Sequence, residues 1–287
     1  MASVSLGLLL VSILGCMLTA INTNIADRIG RLVILELIVL PVPIYWHWRR
    51  QLDFRDSSQV ILWTLLITAI LPFPILTAAR LHMPLRDSFF ASLDAALGLN
   101  VPSLMAWARQ HHYAHTLEVS YDLLKPLLLF AALGPALAGK LKSAREFLTA
   151  NVLAFLVVIP LFAVLPGVGP WHYYHLTPTS AQLLCQSEIV TLRLPAVYSY
   201  NWQEARIICF PSFHVIWAIL STRALWVFRS VRIPLAVLAI MIVVSTMTTG
   251  WHYFSDVLSG LVVAAIAVLG ANKLAASQRN PHPQTVR

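Results

Sequence analysis

Long apolar runs separated by short charged connections limit what this chain can fold into more than any other feature. Residues 2–21 carry no charge, and a run of about 20 apolar residues at helical rise matches the hydrocarbon thickness of a bilayer. Marking every such run predicts eight spans, at about 3–22, 32–48, 58–79, 119–139, 147–167, 212–228, 233–250 and 253–272. Each must be a helix, because backbone exposed to lipid has to satisfy its own hydrogen bonds. Composition agrees: 58% of residues are hydrophobic and 11% charged, where a soluble domain carries about 25% charged residues. A soluble globular chain and a disordered one are both excluded. The first run lacks a basic n-region and a small-residue cleavage site, and further spans follow it, so it reads as a retained helix and not a secretory signal. Pro41, Pro43, Pro72, Pro74 and Pro160 fall in or near spans, where prolines kink helices without excluding them. The expected fold class is all-α, a polytopic helical membrane protein of about eight transmembrane helices.

Basic residues orient these spans. Eight spans place both termini on one side, with the connections carrying Arg49, Arg50, Arg55, Lys140, Lys142, Arg145, Arg229 and Arg232 and the tail carrying Lys273, Arg279 and Arg287. The other side has Arg28, Arg31, Arg80, Arg86, Arg109, Arg193 and Arg206, most of them diluted in two long loops. The positive-inside rule makes the first side cytoplasmic, so the loops at about 80–118 and 168–211 face outward. The net charge of +8 is explained by this bias. No dense basic block with interleaved aromatics exists, so nucleic acid is not an expected partner. The expected location is a bacterial inner membrane with the outer loops in the periplasm or exterior.

In the first outer loop Phe89, Phe90, Leu93 and Leu97 recur at helical spacing within Asp87–Leu97. The segment reads as an interfacial amphipathic helix, with a plain connector as the alternative. Glu36 in the second span reads as helix packing or as an early end to that span. Cys16, Cys185 and Cys209 show no metal-ligand spacing, and neither a metal nor an organic cofactor is expected. Cys185 and Cys209 share an outer loop, where oxidising conditions permit a disulfide; free thiols are the other option.

Chemistry concentrates at two outer helix starts. One reads Cys209-Phe210-Pro211-Ser212-Phe213-His214, and the other Trp251-His252-Tyr253-Phe254-Ser255-Asp256. A carboxylate four residues after a histidine shares its helix face and reaches its ring. An acid-held imidazole is fixed in one tautomer, which makes its other nitrogen basic. Ionisable groups near membrane depth are costly and therefore functional by default. A lone histidine beside Trp217 or Trp251 would read as an interfacial anchor, but two on one side, one of them with its acid, read as a site.

The chain resembles the type 2 phosphatidic acid phosphatase superfamily, a histidine phosphatase fold shared with vanadium haloperoxidases. Pro211-Ser-Phe-His214 is similar to its second motif, Pro-Ser-Gly-His, and His252-Tyr-Phe-Ser-Asp256 to the His-x-x-x-Asp of its third. The resemblance covers about 58–272 and implies a six-helix catalytic core there, with two additional helices in 1–57, a cytoplasmic tail at 273–287, and the amphipathic helix as an elbow in an outer loop. No Lys-x6-Arg-Pro first motif is present, and Ser245-Thr246 stands where the third motif opens Ser-Arg. The branch resembling inositol phosphorylceramide synthase and sphingomyelin synthase lacks the same cations. Gly169-Pro170-Trp171-His172-Tyr173-Tyr174, and more weakly Leu93-Asp94-Ala-Ala-Leu-Gly98 with Pro102, look like that branch.

The resemblance implies that His252 attacks phosphorus, Asp256 orients it and His214 protonates the leaving oxygen. Phosphoryl transfer also needs cations or backbone N–H groups around the equatorial oxygens. The helix start at Ser212 and Phe213 offers amides. Lys125, Arg193, Arg206 and His172 are the candidate cations or donors; Lys125 can instead pair with Asp122, and His172 can instead anchor at the interface with its aromatic neighbours. The expected function is transfer of a phosphoryl or phospho-headgroup unit from a lipid to an alcohol through a phosphohistidine. The alternative is a phosphatase with water as acceptor, and the third reading is a lipid transporter or flippase. The partners are thus lipid, acceptor and bilayer, with oligomeric state open.

Overall fold

A computed structural model of the chain describes residues 41–70, 72–194 and 207–277. The span expected at 3–22, most of that at 32–48, Cys16, Glu36, Arg206 and the tail from 278 lie outside the described residues. The described chain is helical throughout, with no strand. In order the helices are α1 (Pro41–Trp48), α2 (Leu52–Ile70), α3 (Pro72–Ala79), α4 (Asp87–Ala96), α5 (Val101–Gln110), α6 (Ala114–Asp122), α7 (Leu124–Leu137), α8 (Leu141–Val164), α9 (Pro170–Tyr173), α10 (Ser180–Leu192), α11 (Phe213–Leu225), α12 (Arg232–Thr248, entered by a 3-10 turn at Arg229–Val231) and α13 (Phe254–Ser277).

Three of these segments are long and apolar enough to cross a membrane: α8, the 3-10 turn with α12, and α13. Their burial pattern is that of helices in lipid. α13 buries six small or polar residues, Ser255, Asp256, Gly260, Ala264, Ala267 and Ala271, with Val257 and Val263, and exposes Leu258, Leu261, Val262, Ile266 and Leu269. Small residues inside and large apolar ones outside is the arrangement expected when the surrounding solvent is itself apolar. α12 likewise exposes Ile233, Val237 and Ile240 as one stripe, an apolar surface that water would not tolerate.

Several expected spans differ. The run at 119–139 is two helices, breaking at Leu123; Pro126 has no N–H to give and its ring crowds the carbonyl four residues earlier, so α6 cannot continue into α7. The run at 58–79 appears as α2 and α3, and that at 212–228 as the 13-residue α11. At 1.5 Å per residue α11 spans roughly 20 Å, short of a bilayer core. A helix does form at Asp87–Ala96: α4 buries Asp87, Phe90, Ala91 and Asp94 and leaves Phe89 and Leu93, with Leu97 just after it, exposed. Of the four apolar residues read at helical spacing, Phe89, Leu93 and Leu97 thus face away from the protein, while Phe90 is buried on the face that the two aspartates share.

α11 is the centre of the bundle, touching α7, α8, α12 and α13. Its entry sits against α13, where a Cβ on Gly260 would stand 2.8 Å from the Ser212 carbonyl oxygen and 3.1 Å from Val215 Cβ. At the opposite end Ser143 Oγ donates to Ala224 O at 2.7 Å, and Arg223 bonds Asn272 Oδ1 at 2.8 Å and Glu146 Oε2 at 3.3 Å. These contacts gather the start of α8 with the ends of α11 and α13, along with the neighbouring Lys142 and Lys273. Chain direction therefore puts the beginnings of α7, α11 and α13 and the ends of α8 and α12 together at the other end of the bundle.

Gly260→Val should separate α11 from α13 at the point where they meet. We expect a loss of about 1–3 kcal/mol, the usual cost of overpacking a tight site, read as a lower melting temperature of the detergent-solubilised protein. An unchanged melting temperature would show that the two helices are not held at this spacing.

Candidate active site

The end of the bundle where α7, α11 and α13 begin holds a cavity of about 190 Å³. His214, His252, Lys125 and Cys209 line it together with Ile75, Leu124, Leu128, Phe155, Phe213 and Trp217. The ring centroids of His214 and His252 are 5.5 Å apart. The cavity is therefore mostly apolar, with two imidazoles in its wall.

His252 lies in the turn between α12 and α13 and is 2% exposed. Its Nδ1 is 2.9 Å from the carbonyl oxygen of Cys209 and 3.4 Å from Asp256 Oδ2. A carbonyl oxygen only accepts, so Nδ1 carries the proton and the neutral ring has its lone pair on Nε2. The expected acid is in reach of the ring, but the shorter bond goes to a backbone carbonyl that the sequence did not single out.

Asp256 is fully buried, and its donors converge on one oxygen. Oδ2 accepts from the Tyr253 N–H at 2.8 Å and from the Cys209 thiol at 3.1 Å. With Tyr253 preceding the helix and Asp256 in its first turn, the bond from Tyr253 is the returning half of a capping box. Burial first, then the Asp256 and Asp87 charges, push the Cys209 thiol well above its ordinary range, which keeps it a neutral donor. Cys185 and Cys209 are both buried and form no disulfide with each other; the Cys209 thiol donates to Asp256.

Cys209, His252 and Asp256 present possible ligand atoms within 4.8 Å of one another, a grouping that residue spacing did not foretell. The thiol proton already goes to Asp256 and the Nδ1 proton to Cys209 O, so a metal would have to displace both.

His214 occupies the first turn of α11. Its ring stacks on Tyr121 with centroids 4.2 Å apart, and the Tyr121 hydroxyl lies 3.5 Å from Nδ1. Ser212 caps this helix: it is fully buried, its Oγ accepts from the Val215 N–H at 3.4 Å, and its own N–H donates to Asp256 O at 3.1 Å. Ser212 thus locks α11 to α13 and does not line the cavity, whereas Phe213 does.

The expected cations scatter. Lys125 stands at the start of α7 on the cavity wall, well exposed and 3.5 Å from Asp122. Arg193 ends α10 and donates to Met83 O at 2.7 Å, away from the cavity lining. His172 is half-buried on α9 beside Trp171 and does not line the cavity.

Tyr121, Asp87 and Asp94 were not anticipated as parts of this site. The seven-residue spacing of the two aspartates on an otherwise uncharged helix was a legible signal that both share one face. Tyr121 reaches His214 only through tertiary packing and had none.

Against this geometry, comparison with curated proteins and with solved structures gives no match. A family model described as the PAP2 superfamily matches residues 88–270. That segment contains all but the first residue of α4, then α5 through most of α13, with Tyr121, Lys125, Cys209, His214, His252 and Asp256, and the chain belongs to the PAP2 superfamily.

Proposed function

We propose that the chain is a membrane lipid phosphotransferase that works through a phosphohistidine on His252. Membership of the PAP2 superfamily suggests phosphatase-type chemistry on lipid phosphoesters. The observation that carries the finer reading is the state of His252: its Nδ1 is committed to Cys209 O while its ring lines the same cavity as His214.

Nε2 then attacks phosphorus in line, forming the N–P bond as the P–O bond breaks. The leaving oxygen takes its proton from His214. Asp256, already aimed at Nδ1, stabilises the positive charge that the ring acquires. In the second half an acceptor hydroxyl gives its proton back to His214 and its oxygen takes the phosphoryl group from Nε2. Lys125 at the cavity wall is placed to meet a phosphoryl oxygen.

The cavity wall supports a lipid-borne acceptor. Phe155, Phe213, Trp217, Leu124 and Leu128 favour an alcohol carried on a lipid over water, and Lys125 is the single Lys or Arg among the described lining residues, in keeping with the synthase-like branch. Hydrolysis is the second reading, favoured by the superfamily as a whole. We read 58–272 as the catalytic core. The clustering of Lys142, Arg223 and Lys273 at the end opposite the histidines supports an outward-facing site under the positive-inside rule, with the exposed Phe89, Leu93 and Leu97 of α4 resting in the interface.

Purified protein incubated with a panel of lipid phosphates, with and without inositol, ceramide and diacylglycerol, should yield a new phospholipid detectable by mass spectrometry; free phosphate alone would make it a phosphatase. His252→Ala should abolish turnover and labelling by a phosphorus-32 donor. Asp256→Asn should slow phosphorylation by up to about 10⁴-fold, the loss seen when the corresponding acid is neutralised in a Ser-His-Asp site. His214→Ala should spare a p-nitrophenyl ester, whose leaving group needs no proton, far more than a lipid alkoxide. Equal loss on both would make His214 a phosphate-binding group instead.

Activity should persist in EDTA, because the protons that Cys209 and His252 donate leave no ready ligand set. Complete loss restored by one added divalent ion would overturn the phosphohistidine mechanism.

For the topology, a cysteine at Ser180, an exposed residue at the start of α10, should react in intact cells with an impermeant maleimide when Cys16 is replaced by Ser. Labelling only after lysis would place the site on the cytoplasmic face.

A further inference from the structure

The two carboxylates on the inner face of α4 have no part in the chemistry above, yet both are almost completely buried, Asp94 at 2% and Asp87 at 6% exposure. Buried acids in a membrane protein are retained only where something answers their charge. Here the answer is backbone amides of the active-site loops. Asp94 Oδ2 accepts from the Phe254 N–H at 2.7 Å and Oδ1 from the Ser255 N–H at 2.9 Å. These are the first two amides of α13, the helix that begins two residues after His252 and carries Asp256. Tyr253 cannot supply the usual capping oxygen from its own side chain. Asp94 supplies it from another helix, and its charge meets the positive end of the α13 dipole.

Asp87, two turns earlier on the same face, holds Tyr253 and the neighbouring 168–169 loop. It accepts from the Val168 N–H at 3.1 Å, the Gly169 N–H at 2.8 Å and the Tyr253 hydroxyl at 3.1 Å. Burial, with the Asp87 charge next, pushes that hydroxyl far above the usual phenol range, so it stays a donor. Gly169 in turn sits back to back with the histidine turn: its φ is 126°, and a Cβ there would stand 2.7 Å from Trp251 O. One helix thus holds the three residues that follow His252 and the 168–169 loop that packs against Trp251 before it, with Phe90 packed against Tyr253 and Phe210 between the two acids.

We infer that Asp94, assisted by Asp87, is a positioning residue for His252: α4 fixes the start of α13 and thereby the placement of the His252 ring relative to His214. The inference rests on the reading of His252 as the group that attacks phosphorus. Displacing a reacting group by about 1 Å costs on the order of 100-fold, so loss of this cap lowers affinity for the transition state while the bundle stays folded.

Orthovanadate, whose five-coordinate form mimics phosphorus in flight, provides a probe independent of the lipid substrate. Calorimetric titration of wild type, His252→Ala, Asp94→Ala and Asp94→Asn, all below their melting temperatures, should show no binding by His252→Ala. It should show about 10–100-fold weaker binding by Asp94→Ala and an intermediate value for Asp94→Asn, whose amide oxygen still accepts one N–H. A purely structural role would lower the melting temperature and leave the affinity of the folded protein unmoved. Asp94 variants that bind vanadate within twofold of wild type, while His252→Ala does not bind, would overturn the inference and leave the His252 reading standing. Wild-type affinity in His252→Ala would overturn both. If Asp94→Ala does not fold, Asp94→Asn carries the same comparison.

Discussion

A carboxylate with no exposure at the mouth of a membrane helix is the constraint from which the rest of this structure follows. Asp256 cannot be hydrated, and burying an ionised acid without partners is prohibitively costly. The Tyr253 amide, the Cys209 thiol and the His252 ring all converge on its Oδ2, while Oδ1 has no hydrogen-bond partner among the described residues. Meeting that one oxygen brings the 207–212 strand of chain onto the α12–α13 turn, and the Cys209 carbonyl arrives beside His252 as a result. The tautomer of the histidine is thus a by-product of satisfying the acid.

The same economy of polar groups shapes the surroundings. Ser212 uses its hydroxyl to cap α11 and its amide to bond Asp256 O, so the two motif helices are joined through backbone as well as side chains. Gly260 allows that approach, and Gly169 allows the neighbouring loop to close behind Trp251. Around this polar knot the wall is aromatic, with Phe155, Phe213 and Trp217 packed in series. Low polarity there strengthens every electrostatic contact around the two histidines.

Much of the architecture was legible from the chain. Apolar run length identified α8, α12 and α13, and the two histidine motifs marked the ends of helices that the fold brings together. The failures have local causes. Pro126 divides a run whose hydropathy is continuous, and hydropathy is blind to a missing N–H. The amphipathic pattern of α4 was read from its apolar residues alone, as an interfacial helix, and that reading left out the inward turn of Asp87 and Asp94. In a membrane protein the apolar face has lipid to rest on, so the polar face can turn inward when it carries buried acids with amides to meet.

By itself the sequence determined the helical class, the apolar surroundings, and the pairing of His252 with Asp256, because these depend on run length and on a four-residue spacing across one helix start. Tertiary structure alone decided which carbonyl holds Nδ1, that Cys209 donates a proton and forms no disulfide, that Lys125 reaches the cavity while Arg193 does not, and that Asp94 caps a helix far along the chain. Each of these is a contact between distant segments, where a hydrogen bond is set by the distance and direction that packing imposes and leaves no periodic trace in the order of residues.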